Sequence, residues 1–137
     1  WEESVERHYL DSASISLGYP FKAQLNHNDV KVLDVGSGAG FPGIPLKILF
    51  PKIQLTLLDS VNKKTDFLER VVCHLGLDFT CVETERAEIL ARNDMHRGAY
   101  DLVLARAVSK LNVLVELTPI LTGIPTHCLI MSRICRQ

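Results

Sequence analysis

Apolar positions along this chain follow two alternating rhythms. From Lys31 onward, short and nearly continuous apolar runs predict strands at 31–36, 53–58, 78–83, 100–105 and 126–132. Unbroken apolar runs, rather than strict alternation, are what a parallel strand covered on both faces requires. Amphipathic stretches predict helices between them. The first spans about 41–50, with Pro42 and Pro45 in its opening turn, where missing N–H donors cost little, and Pro51 just beyond its end. The second opens at Ser60 as N-cap and closes at Gly76, where a left-handed cap belongs. A third runs from Arg86 to Arg92 and a fourth over 110–121. Ahead of the first strand, Val5, Tyr9, Leu10 and Ile15 among charges predict a short helix over 2–16, ended by Gly18 and Pro20, and 21–29 reads as a loop. Strictly alternating strands and helices imply right-handed crossovers and a doubly wound parallel α/β sheet.

Composition narrows this to one domain over 1–137, with an N-terminal helix and loop at 1–30 and an α/β core at 31–137. At 137 residues and 47% hydrophobic content, one sizeable core can be buried. With 15 Lys+Arg against 16 Asp+Glu, no global field draws the chain onto nucleic acid or a membrane, so a nucleic-acid partner needs a local patch. Cys73, Cys81, Cys128 and Cys135 form no C-x-x-C pair and complete no zinc pattern with the histidines; they read as reduced, mostly core thiols. No apolar run reaches a bilayer span and no signal-peptide segment opens the chain, so the expectation is a cytoplasmic protein without membrane partners. The chain opens at Trp1 without an initiator Met and ends soon after an apolar run, as a fragment would.

Candidate chemistry concentrates where the first strand meets glycine. Val32 to Val35 runs into Gly36, Gly38, Gly40 and Gly43. Such a loop turns with φ > 0 and lets bare backbone N–H groups approach a ligand, at which the next helix points its positive end. Asp59 closes the second strand, where a carboxylate either accepts the hydroxyl protons of a ribose or simply starts a helix. Together these features imply a nucleoside-containing cofactor. Glu88, after the third strand, reads either as a polar group for the adenine edge or as a solvated first-turn charge. Arg106 directly follows the apolar strand Leu102–Ala105 and calls for a carboxylate partner, from the protein or from a ligand. Gly38, Gly40 and Gly43 satisfy the dinucleotide pattern G-x-G-x-x-G, but Gly36 follows the strand and the fuller pattern is D-x-G-x-G-x-G.

That fuller pattern resembles the first motif of class I S-adenosylmethionine-dependent methyltransferases, with a Rossmann-like sheet. Asp34-Val-Gly-Ser-Gly-Ala-Gly-Phe-Pro-Gly-Ile-Pro-Leu46, then Leu57-Leu-Asp-Ser60, Lys63-Lys64 with Phe67-Leu68, Arg86-Ala-Glu88 and Arg106-Ala-Val108 resemble the RsmG (GidB) family. Members methylate guanine N7 in 16S ribosomal RNA. Arg7-His8-Tyr-Leu-Asp11-Ser12 resembles the segment before the family's first strand, and the match covers about 5–121. The resemblance implies S-adenosyl-L-methionine as cofactor, with Gly36 and Phe41 contacting it from the loop, Ala87 and Glu88 from the third strand's end, and Arg106 lining the site. Phe41 could equally pack in its helix. Gly38, Gly40 and Asp59 complete the candidate cofactor set.

Guanine N7 carries a lone pair and no proton, so the implied reaction needs positioning rather than a general base. Accordingly His8, His27, His74, His96 and His127 read as surface or packing residues. The implied partner is 16S ribosomal RNA or the small subunit, gripped through phosphates by Arg7, His8, Lys63, Lys64 and Lys110, beside Arg106. Lys63 and Lys64 sit in a helix's first turn, against the macrodipole, or else form a solvated face. The family's Lys-Gly after the fifth strand is replaced here by Ser132-Arg133, and the sheet is expected to lack its last two strands. Two alternatives stand beside the methyltransferase: a truncated, non-catalytic cofactor- or RNA-binding domain, and an NAD-dependent oxidoreductase.

Overall fold

The computed structural model describes residues 6, 10, 25, 29–106, 111–123 and 128–131, those at 111–114 and 128–131 by backbone alone. Its strands are β1 (Lys31–Val35), β2 (Gln54–Asp59), β3 (Thr80–Thr84), β4 (Leu102–Arg106) and β5 (Cys128–Met131). Helices α1 (Gly43–Leu49), α2 (Asn62–Leu75), α3 (Ala87–Leu90) and α4 (Leu111–Thr122) separate them. The five strands are all parallel in the order β3-β2-β1-β4-β5. Chain order reverses at β1, so β1, β2 and β4 meet at the switch point where doubly wound sheets bind ligands.

Successive strand residues point to opposite faces, and the apolar runs divide accordingly. Val32, Leu55, Leu57, Leu102 and Leu104 pack with Ile44 and Leu46 of α1 and Leu68 of α2. Leu33, Val35, Leu58 and Val103 pack on the other face with Leu90, Tyr100 and Leu121. Leu25 is helical and 1% exposed within the α1–α2 layer, where the sequence predicted a loop. The predicted N-terminal helix lies outside the described residues except at Glu6 and Leu10, both helical.

Three further expectations are corrected. The third strand is not buried on both faces: β3 is the sheet edge, and Phe79 before it and Cys81 within it are exposed. Cys73 and Cys81 are likewise free, exposed thiols rather than core residues. Ser60 does not cap α2. Val61 occupies that position in extended conformation, and its N–H donates to Asp59 Oδ1 at 3.1 Å. The capping carboxylate thus comes from the strand end. Gly76 does adopt the left-handed cap, with φ 60° and its N–H on the carbonyl of Cys73.

Lys47, which the sequence did not single out, is almost fully buried beneath the α1–β2 connection. Its Nζ donates to the carbonyls of Pro51, at 2.7 Å, and Ile53. Burial pushes its pKa down, and Asp78 opposes that shift. An ammonium here satisfies two carbonyls that a tight helix-to-strand turn would leave unbonded.

Gly43, the first residue of α1, fixes how near that helix lies to the sheet. A Cβ there would stand 2.7 Å from Asp34 Oδ2 and 2.8 Å from Leu57 Cδ2. Gly43→Ala is therefore expected to destabilise the fold by about 1–3 kcal/mol, the usual range for overpacking. Urea unfolding checks this, and an unchanged midpoint would show that α1 can move away freely.

Candidate cofactor site

The register brings the strand ends level. Val35 pairs with Leu58 and Ala105, and Asp59 with Thr84, so Gly36, Asp59, the Glu85–Arg86 turn and Arg106 share one rim. Across it runs the loop from Gly36 to Pro42. The N–H groups of Gly36 and Ser37 both donate to the carbonyl of Leu58, at 2.8 and 3.0 Å, folding the loop over β2. Those of Gly40 and Phe41 return to the carbonyl of Ser37. That of Gly38 donates to Asp59 Oδ2 at 3.0 Å. The sequence led us to expect bare amides turned toward a ligand; these five are bonded within the protein instead. Its positive φ of 58° is what Gly38 contributes, together with a position whose Cβ would meet only the Gly36 carbonyl oxygen, at 3.9 Å.

The positive end of α1 is committed too. Gly43 N–H donates to Asp34 Oδ2 at 3.0 Å, and the Ser37 hydroxyl donates to the Asp34 main-chain carbonyl at 2.9 Å. Asp34 is completely buried, and its Oδ1 has no hydrogen-bond partner. Burial raises the carboxyl to about 7, against the pull of the Gly43 N–H, the Ser37 hydroxyl and the Arg106 guanidinium; Asp59 adds a smaller upward push. Asp34 is the residue beneath the loop that the sequence reading passed over. Its signal was the leading D of D-x-G-x-G-x-G, but only packing shows that this carboxylate underlies the loop.

Asp59 is 5% exposed and serves three donors: Gly38 N–H, Val61 N–H and Lys64 Nζ, the last at 3.5 Å. The helix-start reading of this residue holds, through the Val61 N–H. Phe41 is half-buried ahead of α1 rather than within it. Ala87, the first residue of α3, packs against the core, while Glu88 is exposed in the same turn. Arg106 is half-buried at the tip of β4, near enough to lower the Asp34 carboxyl. Lys63 and Lys64 are exposed on the first turn of α2. Arg7, His8 and Lys110 lie outside the described residues. His96 stacks on Tyr100, and its Nδ1 lies 2.7 Å from the Tyr100 hydroxyl. That pair borders a cavity of about 320 Å³ with Thr56 and Cys81, on the sheet toward the amino ends of the strands and away from the rim. Among the described residues, no group of three or more His, Cys, Asp or Glu could hold a metal ion, and no helix is long and apolar enough to cross a membrane.

This sheet order is that of the doubly wound α/β folds, and solved methyltransferases of class I share it. A putative sarcosine dimethylglycine methyltransferase from Galdieria sulphuraria superposes with a TM-score of 0.64 at 18% identity, over 88% of this chain and 44% of that one. Geranyl diphosphate C-methyltransferase from Streptomyces coelicolor A3(2), solved with S-adenosyl-L-homocysteine, gives 0.67 at 14% identity, over 91% and 46%. The chain belongs to the GidB family, rRNA small subunit methyltransferase G, whose model matches residues 1–131. Ribosomal RNA small subunit methyltransferase G of Alkaliphilus metalliredigens is 48% identical over 115 residues, 84% of this chain and 46% of that protein. The Roseiflexus castenholzii protein of the same name is 46% identical over 114 residues, 83% and 46%. The chain thus spans just under half the length of these relatives.

The Asp34 carboxyl makes stability pH-dependent. Unfolded, it ionises near 3.8; folded, near 7. Between those values the folded chain holds a proton that the unfolded chain has released, so stability falls as pH rises through that window. The full loss, on the order of 4 kcal/mol, is present above about pH 7. Asp34→Asn is expected to flatten this fall, so that the stability difference from wild type grows in favour of the variant between pH 4 and 8. Parallel urea-unfolding curves for the two proteins across that range would contradict it.

Proposed function

We propose that this chain is the cofactor-binding part of a methyltransferase that moves a methyl group from S-adenosyl-L-methionine to N7 of a guanine in 16S ribosomal RNA, in the cytoplasm. One observation carries the choice of cofactor: five loop amides are bonded within the protein, while two carboxylates, one with an unpartnered oxygen, flank the loop. A pyrophosphate needs amides turned outward to cradle it. A nucleoside bearing cationic ammonium and sulfonium groups instead gains from the Asp59 carboxylate beside the loop. The residues present therefore fit S-adenosyl-L-methionine better than a dinucleotide. Gly43, the last glycine of the dinucleotide pattern, is accounted for by its close packing on Asp34 and Leu57.

In this reading Asp59 accepts the ribose hydroxyls, and Gly36, Gly38, Gly40 and Phe41 border the amino-acid end. Ala87 and Glu88 border the adenine, and Arg106 lines the site beside Asp34. When bound, S-adenosyl-L-methionine supplies an electrophilic methyl group, which the N7 lone pair can accept without losing a proton. The protein's contribution is then to hold both reactants in line and exclude water, which can supply several orders of magnitude in rate. Arg7, His8, Lys63, Lys64 and Lys110 are the candidate phosphate contacts. Membership of the rRNA small subunit methyltransferase G family supports the RNA substrate.

Isothermal titration with S-adenosyl-L-methionine and with NADH tests the cofactor, and tritium transfer from labelled cofactor to small-subunit RNA tests the reaction. Preference for NADH would end the proposal; saturable cofactor binding with no transfer would support a binding domain instead. Asp59→Ala is expected to weaken cofactor binding by about 1–3 kcal/mol through lost charge-assisted hydrogen bonds. Gly38→Val should abolish it, because a β-branched residue is strained at φ 58° and its side chain would project over the loop. Retained affinity in Gly38→Val would place the ligand elsewhere.

A further inference from the structure

Asp59 carries more donors than a ribose-binding carboxylate can keep. Its two oxygens offer about four acceptor positions. Oδ2 takes Gly38 N–H at 3.0 Å and Lys64 Nζ at 3.5 Å, and Oδ1 takes Val61 N–H at 3.1 Å. A vicinal diol bound in two-pronged fashion needs one position on each oxygen. Oδ1 has one left, whereas both positions on Oδ2 are taken. Gly38 and Val61 donate from main chain fixed by the loop and by the start of α2. Lys64 is different: its flexible side chain is 51% exposed, and 3.5 Å is longer than a well-formed charge-assisted contact. The lysine is the donor that can leave.

Its destination is set by the surrounding charge. The first turn of α2 contains no acidic residue and presents Lys63 and Lys64 at the helix's positive end. Once Lys64 releases Asp59, two cations stand there with no acid in that turn, and an incoming anion gains from both. We propose that Lys64 is an exchangeable cation that bonds Asp59 until a ribose takes the carboxylate and then moves to an RNA phosphate, so that cofactor and RNA strengthen each other's binding. This rests on the ribose role given to Asp59 above. Coupling of this kind is reciprocal, because both ligands bias the same two positions of one side chain.

The salt dependence of RNA binding reads the switch directly. Affinity for a 16S ribosomal RNA transcript is measured over a range of KCl concentrations, with and without saturating S-adenosylhomocysteine, for the wild-type chain and for Lys64→Gln, Lys64→Arg and Lys63→Gln. In the wild type, cofactor product should steepen the slope of log affinity against log salt by about 0.7–0.9, the signature of one added phosphate contact. Lys64→Gln should show one slope in both conditions while binding S-adenosylhomocysteine at least as tightly as wild type. Lys64→Arg should keep the cofactor-dependent change, and Lys63→Gln should be shallower in both conditions by the same amount. A wild-type slope indifferent to bound S-adenosylhomocysteine, a Lys64→Gln slope that still changes, or weaker S-adenosylhomocysteine binding by Lys64→Gln each overturns the switch alone. Failure of the wild type to bind S-adenosylhomocysteine at all overturns the ribose reading and the switch with it.

Discussion

A buried carboxylate from β1 holding the first amide of α1 is the contact on which the rim depends. Asp34 Oδ2 and Gly43 N–H stand 3.0 Å apart with no room between them for a Cβ. The bond gives the first amide of the helix a buried acceptor. It also fixes the distance between helix and sheet, and hence the span that the loop from Gly36 to Pro42 must cross.

The second carboxylate, Asp59, performs the matching task from the neighbouring strand. It anchors the loop through Gly38 and starts α2 through Val61, so the loop after β1 and the helix after β2 share one acceptor. Five of the loop amides are bonded within the protein rather than turned toward the rim.

Much of this architecture was legible in the residue pattern. The strand and helix order, the left-handed cap at Gly76 and the convergence of the glycine loop, Asp59 and Arg106 on one rim all follow from hydrophobic rhythm, glycine placement and parallel-sheet topology. Errors arose where a local rule was read without its neighbours. Ser60 has the chemistry of an N-cap, but the preceding aspartate supplies the carboxylate from the strand end. Cys81 lies on an apolar strand, but that strand is the sheet edge and the thiol is exposed. Lys47 went unread, because nothing in its own sequence neighbourhood announces the two carbonyls it bonds.

The sequence by itself determined what depends on local spacing: which segments become strands, where helices stop, and which residues reach the carboxyl ends of a parallel sheet. Family kinship was also written there, since one run of glycines and prolines with its following D-S-x-x-K-K carries it. Tertiary structure alone decided how the polar groups pair. Whether a loop amide faces outward or inward, whether one carboxylate is held near neutrality and whether another pairs with a lysine depend on atoms brought together from β1, β2, β4, α1 and α2. Desolvation and hydrogen bonding act over a few ångströms in space, so residues distant in sequence set them once the chain has folded.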